Sequence, residues 1–117
     1  MKVYISLIGD VLHAGHVRLI KEGAKYGDVI IGLLTNKACA ELNDIPFIDY
    51  KKRKEVMDSL SHVSKVIEQT SASYLKNLNY LKPDYVIHGD DWKNTYQKKY
   101  REEVVSFFKK NKGKLIE

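Results

Sequence analysis

Two histidines three residues apart carry the strongest chemical signal in this sequence. They lie in residues 9–16, Gly-Asp-Val-Leu-His-Ala-Gly-His, which run directly into a stretch of helical period. A helix start attracts phosphate through its unpaired N–H groups and its partial positive charge. His16 falls in the first turn and His13 just before it, so both imidazoles can donate to phosphate oxygens in the same pocket. Gly15 lets a phosphate approach the backbone. The spacing predicts phosphate binding. A zinc pair and two incidental surface histidines are the alternatives.

Strand-length apolar runs alternate with segments of helical period along the chain. We predict strands at 2–8, 28–34, 63–67, 85–87 and 114–116. We predict helices that end at Gly27 and that span 36–42, 50–60, 73–81 and 94–110. This alternation indicates parallel βαβ units with right-handed crossovers. We therefore expect an α/β fold, namely a Rossmann-like, doubly wound, parallel five-stranded sheet in an α/β/α sandwich.

Ligands of such sheets bind beyond the carboxyl ends of the strands, where the strand order reverses. This rule selects the segments after the first, second and fourth strands, which are residues 9–16, 36–46 and 88–92. The third segment reads His-Gly-Asp-Asp-Trp, and its carboxylates can accept from an amine of a base or from a ribose hydroxyl. The alternatives are an aspartate that caps the following helix and a Trp92 that anchors the core.

Composition narrows the class of protein. The chain has 117 residues, one cysteine (Cys39) and a net charge of +5, so it contains no internal disulfide and suits an anionic ligand. A nucleic-acid partner ranks last because no basic-aromatic recognition motif is present. No apolar stretch approaches the roughly 18 residues of a membrane span, and no signal-peptide pattern opens the chain. We predict a cytoplasmic protein without a membrane or nucleic-acid partner.

Three motifs resemble the cytidylyltransferase family, whose members share a His-x-Gly-His motif. His13-Ala14-Gly15-His16 matches that motif, with Asp10 three residues ahead. The segment 88–92 looks like the Gly-Asp-Asp-Trp segment of glycerol-3-phosphate cytidylyltransferases, and Arg53 falls in a Tyr-x-x-Arg-Lys stretch. The resemblance covers essentially the whole chain. It is closest to the cytidylyltransferase domains of phosphonate biosynthesis, which are sometimes fused to phosphoenolpyruvate mutase.

The resemblance implies an enzyme that transfers CMP from CTP to a small phosphonate or phosphate acceptor and releases pyrophosphate. Aminoethyl- and hydroxyethylphosphonate are the expected acceptors. Glycerol-3-phosphate or another polyol phosphate as acceptor, and ATP as donor, remain open. The resemblance also implies a homodimer or one domain of a larger fusion protein.

The same resemblance assigns roles to individual residues. His13 and His16 are implied to be catalytic, and Arg53 is implied to bind phosphate or acceptor. Lys37, near the edge of the site, is a further candidate to bind phosphate or acceptor. Magnesium is the implied cofactor, bridging the triphosphate oxygens, with Asp10 contacting it directly or through water. The implied nucleotide-binding residues are Ile8, Gly9, Asp10, Gly15, His88, Gly89, Asp90, Asp91 and Trp92.

Three departures from the family pattern motivate a competing hypothesis. Residues 42–46 lack the lysines that often meet the triphosphate, and Gly9 replaces a phenylalanine, which is expected to loosen the loop. The sequence also stops at Glu117, before the family's Arg-x-x-Gly-Ile-Ser-Thr-Thr segment. We therefore expect a single domain, 1–117, that lacks its C-terminal segment. A degenerate module that binds nucleotide without turnover is the alternative.

Overall fold

Strands and helices alternate along the chain in a computed structural model that describes residues 1–117, apart from the side chain of Asp91. The strands are β1 (Lys2–Leu7), β2 (Asp28–Leu34), β3 (Val63–Gln69), β4 (Tyr85–Ile87) and β5 (Lys114–Ile116). The helices are α1 (Ala14–Ala24), α2 (Asn36–Glu41), α3 (Tyr50–Asp58), α4 (Leu75–Leu81) and α5 (Lys98–Lys110). A short 3₁₀ helix, Asp90–Trp92, follows β4.

The five strands form one parallel sheet in the order β3-β2-β1-β4-β5. Val3 of β1 pairs with Val29 of β2 on one side and with Tyr85 of β4 on the other. The order of connection therefore reverses between β1 and β4, which is where a doubly wound sheet opens a crevice for a ligand.

Each face of the sheet is covered by its own pair of helices. Val3, Ile5 and Leu7 of β1 point to one face, where they join a core with residues of α1 and α3. Tyr4 points to the other face and packs in a second core with residues of α4 and α5. This period-two alternation, with apolar residues on both faces, is what a parallel sheet buried between two helical layers requires. The predicted fold class is confirmed.

Several helix boundaries differ from those predicted. Helix α5 begins at Lys98 rather than at 94, and its N-cap is Gln97, so neither aspartate of residues 90–91 caps it. Helix α4 begins at Leu75 rather than at 73, and its N-cap is Tyr74 rather than Ser71 or Ser73. Within the described chain, no helix is both long and apolar enough to cross a membrane.

Candidate functional site

A cavity of about 670 Å³ opens at the carboxyl ends of β1 and β4, where the strand order reverses. Two segments that lie more than 70 residues apart in the sequence meet there, as the sheet topology predicts. Predicted site residues that line the cavity are Ile8, Gly9, Asp10, His13, Gly15, His16, His88, Gly89 and Asp90.

The two histidines cap helix α1 reciprocally. His13 is the N-cap residue, and its Nδ1 accepts a hydrogen bond of 3.0 Å from the backbone N–H of Gly15. His16 Nδ1 in turn accepts one of 3.2 Å from the backbone N–H of His13. The arrangement is a capping box in which two imidazoles take the places usually held by hydroxyl and carboxylate groups. The rings lie with centroids 4.0 Å apart and planes at 34°.

This capping box fixes the tautomer of both rings. A ring nitrogen that accepts an N–H bond carries no proton, so each neutral imidazole holds its proton on Nε2. Burial, and secondarily the positive charge that His13 can carry, lower the pKa of His16 below its ordinary value. His16 is therefore neutral near pH 7. Each ring keeps one N–H donor that is not used by the helix.

Gly15 serves the placement of His13. A Cβ atom at residue 15 would lie 2.7 Å from Cε1 and 3.0 Å from Nδ1 of the His13 ring. The space beside Gly15 is therefore filled by the ring of the histidine that caps the helix. Approach of a phosphate to the Gly15 backbone stays a prediction.

Asp10 binds the loop between α2 and α3, which we call the rim of the cavity. Its Oδ2 accepts from the backbone N–H of Phe47 at 3.0 Å and its Oδ1 from that of Ile48 at 2.9 Å. These bonds lower the pKa of the Asp10 carboxyl, with a smaller contribution from the charge of Arg53. Both oxygens thus hold the loop between α2 and α3 against the end of β1.

The implied magnesium can be compared with the side chains around the cavity. Among the described side chains, no group of three or more His, Cys, Asp or Glu is arranged to hold a metal ion. The carboxylate of Asp10 is already engaged by two backbone N–H groups. Contact between Asp10 and magnesium stays a prediction.

Gly9 does not leave the gap expected from the loss of a phenylalanine. Its φ of 68° is a left-handed conformation that favours glycine. A Cβ atom there would lie 3.0 Å from Leu33 Cδ1 and 3.1 Å from Met57 Cε. These two side chains fill the space beside Gly9, and Asp10 bonds the segment to the loop between α2 and α3. A loosened loop stays a prediction.

Arg53 lies beneath the cavity and does not line it. The side chain is 0% exposed. Its Nη1 donates to the carbonyls of Ile8 and Leu34, both at 2.7 Å, and its Nε donates to the carbonyl of Ile48 at 2.8 Å. Nη2 donates to Asn36 Oδ1 at 2.7 Å. The guanidinium therefore joins the ends of β1 and β2 to α2 and to the loop before α3.

The phosphate contacts expected of Arg53 and Lys37 stay predictions. Arg53 donates four of its five N–H bonds to protein acceptors in this conformation. Lys37 is exposed on the first turn of α2 and is not among the residues that line the cavity.

Trp92 supports the site from behind. It is 1% exposed, does not line the cavity, and donates from Nε1 to Glu117 Oε2 at 2.7 Å. Its ring stacks on that of His88 with centroids 3.7 Å apart and planes at 5°. The structure thus gives Trp92 the position of a core anchor, while His88, Gly89 and Asp90 reach the cavity. The predicted contact of Asp91 falls on a side chain outside those that the structure describes.

Sequence reasoning missed one wall of the cavity. Gln69, Ala72 and Tyr74, in and after β3, line it, as do Gln97 and Tyr100 at the start of α5. The rule about carboxyl ends of strands applies to β3 as well. However, the residues after β3 are mostly small and lack the charged or imidazole groups that draw attention to the other segments.

The charges around the cavity agree with the lack of lysine in residues 42–46, the loop after β2. Asp44 lines the cavity where the family often places lysine. Among the described side chains, the lining set contains no lysine or arginine. Among the described lining groups, those able to donate a hydrogen bond to an anion are therefore the N–H groups of imidazoles and uncharged N–H and O–H groups.

Comparison with known proteins shows the family to which this chain belongs. The sequence model described as cytidylyltransferase-like matches residues 10–112. The FAD synthase of Archaeoglobus profundus is 30% identical over 95 residues, which cover 81% of this chain and 61% of that protein. The bifunctional protein HldE of Helicobacter pylori is 31% identical over 88 residues, which cover 73% of this chain and 19% of that protein.

A solved structure shows the same fold. The lipopolysaccharide core biosynthesis protein of Thermoplasma volcanium superposes with a TM-score of 0.84 at 23% identity, covering 99% of this chain and 93% of that one. The FAD synthase of Archaeoglobus fulgidus is 26% identical over 82 residues, covering 70% of this chain and 60% of that protein. The chain thus spans less than two thirds of the length of the FAD synthases that it matches.

Proposed function

We propose that this chain, which belongs to the cytidylyltransferase-like family of nucleotidyltransferases, transfers CMP from CTP to a phosphonate or phosphate oxygen of a small acceptor. The observation that carries the proposal is the pair of capped imidazoles at the start of α1, which line the cavity at the switch point of the sheet. Aminoethyl- and hydroxyethylphosphonate are the acceptors that we propose first.

The chemistry asked of the protein is positioning and charge stabilisation. An acceptor oxygen attacks the α-phosphorus in line, the bond from that phosphorus to the bridging oxygen of the β-phosphate breaks, and pyrophosphate leaves with the electron pair. Negative charge grows on the non-bridging and leaving oxygens during this step. Two preorganised Nε2–H donors, on His13 and His16, suit that charge because the helix cap fixes their direction. Magnesium bound to the triphosphate would neutralise part of the same charge.

A second candidate is adenylyl transfer to a flavin mononucleotide. It is favoured by the relatives named FAD synthase, because FAD is AMP joined to flavin mononucleotide through a phosphoanhydride bond between their phosphates. The step at the phosphorus is the same, and only the base of the donor and the body of the acceptor differ.

A matrix of donors and acceptors tests both candidates. Pyrophosphate release would be measured with CTP or ATP against 2-aminoethylphosphonate, 2-hydroxyethylphosphonate, glycerol-3-phosphate and flavin mononucleotide. We expect release with CTP and one phosphonate. Release only with ATP and flavin mononucleotide would establish the second candidate.

The role of the histidine pair is tested by a matched substitution. His16→Asn should lower the rate about 100-fold, as loss of one preorganised donor to a developing oxyanion does. His62→Asn is the control, because His62 is exposed just before β3 and does not line the cavity. Equal rates for the two variants would contradict the proposal. Binding of CTP without release for any acceptor would favour the degenerate module.

A further inference from the structure

An acidic and a basic side chain, which we call the Arg101–Glu117 pair, meet at the end of β5. Glu117 follows that strand directly, and its carboxylate accepts two hydrogen bonds from Arg101 of α5. Arg101 Nε donates to Oε2 at 2.8 Å, and Nη2 donates to Oε1 at 2.9 Å. Two parallel bonds of this kind fix the orientation of a carboxylate as well as its position. They are the main reason why the pKa of Glu117 is lowered to about 2, so the carboxylate is charged at neutral pH.

The Arg101–Glu117 pair also holds Trp92 in place. The buried indole donates from Nε1 to Oε2 of Glu117 at 2.7 Å, and Arg101 Nε reaches the same oxygen. A buried indole N–H needs an acceptor, because an unpaired donor inside a core is costly. The Glu117 carboxylate therefore satisfies the one polar atom of the Trp92 side chain, while Arg101 balances the charge of that carboxylate.

His88 is attached to the end of β5 in two ways. Its backbone N–H donates to the carbonyl of Ile116 at 3.0 Å, and its ring lies flat on the ring of Trp92. His88 Nδ1 lies 2.6 Å from the carbonyl oxygen of Gly89, which can only accept, so this nitrogen carries the proton. The main chain and the ring plane of His88 are thus both set from β5, at the point where the residue lines the cavity.

We propose that Arg101 and Glu117 are positioning residues for the nucleotide donor, because together they fix Trp92 and, through its ring, the place of His88. Neither residue lines the cavity, so both act through the stacked rings. The proposal rests on the proposed function, under which His88 contacts the donor. It adds to that function the charged groups on α5 and after β5 that set where this contact lies.

The bond to the indole distinguishes this pair from an ordinary surface ion pair. Exposed ion pairs contribute little, because solvent screens them. Lys98 and Glu102 of α5 form such a pair, with Nζ and Oε1 4.0 Å apart and both side chains exposed. Loss of the Glu117 carboxylate instead leaves the indole N–H without its acceptor inside the core, so the indole must shift to regain a partner. The His88 ring is stacked on it at contact distance and must follow, which carries the effect to the cavity.

Substitution of Glu117 tests the proposal. Glu117→Ala removes both acceptor oxygens, and Glu117→Gln keeps one amide oxygen for the indole N–H but no charge for Arg101. Glu102→Ala is the matched control, because it removes an exposed carboxylate of α5 that does not line the cavity. Steady-state kinetics would be measured with CTP and 2-aminoethylphosphonate, or with the substrate pair that shows the fastest release. We expect Glu117→Ala to raise the donor KM about tenfold at nearly unchanged kcat and acceptor KM, with Glu117→Gln in between, because a displaced His88 weakens donor binding equally before and during transfer.

The outcomes separate this proposal from the proposed function. A donor KM for Glu117→Ala equal to that of Glu102→Ala, or an acceptor KM that rises as much as the donor KM, overturns the proposal. If Glu117→Ala does not fold, Glu117→Gln decides by the same comparison. If the unmodified chain releases no pyrophosphate with any substrate pair, the proposed function fails, and the amide resonances of His88 and Gly89 decide the positioning. Movement of both amides in Glu117→Ala but not in Glu102→Ala supports it, and unmoved amides overturn it.

Discussion

Replacing Arg53 by lysine should destabilise the domain while leaving it folded. The guanidinium is fully buried and donates to Ile8, Leu34, Ile48 and Asn36. A lysine ammonium carries its three donors on one atom, so it can at best serve the two carbonyls that share Nη1. The other two acceptors, the Ile48 carbonyl and Asn36 Oδ1, lie in part-buried bonds. Each loses a hydrogen bond to a charged donor, and such a bond contributes about 1.5–3 kcal/mol.

The expected loss in free energy of unfolding is therefore about 3 kcal/mol for Arg53→Lys. Domains of this size are stable by roughly 5–15 kcal/mol, so the variant should still fold. Urea unfolding followed by circular dichroism measures the difference. Lys52→Arg is the reciprocal control at the neighbouring exposed position, where a change within about 0.5 kcal/mol is expected.

The opposite pattern would refute this reasoning. The family resemblance assigns Arg53 a direct phosphate contact. Replacement of a residue with that role would lower the affinity for nucleotide without changing the free energy of unfolding. Suppose that Arg53→Lys unfolds at the same urea concentration as the unmodified chain while its Kd for CTP rises. The bonds from Arg53 to the strand ends would then not stabilise the domain, and Arg53 would act on the nucleotide instead. Loss of stability accompanied by a weaker site is the outcome expected of a buried clamp.

Three further predictions concern the helix start and the rim. Because the pKa of His16 is lowered by folding, the unfolded chain binds a proton at this ring more readily than the folded chain does. The stability contributed by the neutral His16 ring is therefore complete above about pH 6.5, and it is lost as the pH falls through the lower pKa of the folded state. The urea midpoint should drop on that acid side, and an identical drop in His16→Asn would contradict this assignment. Gly15→Ala should lower kcat/KM about tenfold or more with little loss of stability, because the new Cβ displaces the His13 ring while alanine favours the helix. Unchanged kinetics would show that the ring tolerates the shift. Asp10→Asn should speed hydrogen exchange at the two amides that the carboxylate holds, and unaltered exchange there would contradict its role at the rim.

The sheet was predictable because runs of apolar side chains mark its strands in the sequence. The runs 28–34 and 85–87 are almost wholly apolar, and the strands observed there have the predicted bounds. Meeting of the loops after β1 and β4 followed from topology alone. Helix starts were less predictable, because the competition between capping partners decides them. Ser73 could have begun α4, yet its hydroxyl also bonds Glu103, and the helix starts two residues later.

The site was predictable where chemistry lies in side chains and unpredictable where it lies in the backbone. The histidine pair could be found from spacing, but three of the four acceptors of Arg53 are main-chain carbonyls, which no residue type reveals. Likewise, Ala72 and Tyr74, which line the cavity after β3, carry no charged or imidazole group that would mark them in the sequence. Long-range partners such as Glu103 become visible only when the fold has placed α5 beside these residues.

The stacking of Trp92 on His88 also gives the protein a built-in optical reporter. Trp92 is the single tryptophan of the chain, so all indole emission originates beside the cavity. The indole is shielded from solvent, while its stacked neighbour reaches the cavity wall. We expect a ligand that moves the imidazole to change the quenching of that one fluorophore. Occupancy of the site can therefore be followed in the unlabelled protein, whatever the ligand proves to be.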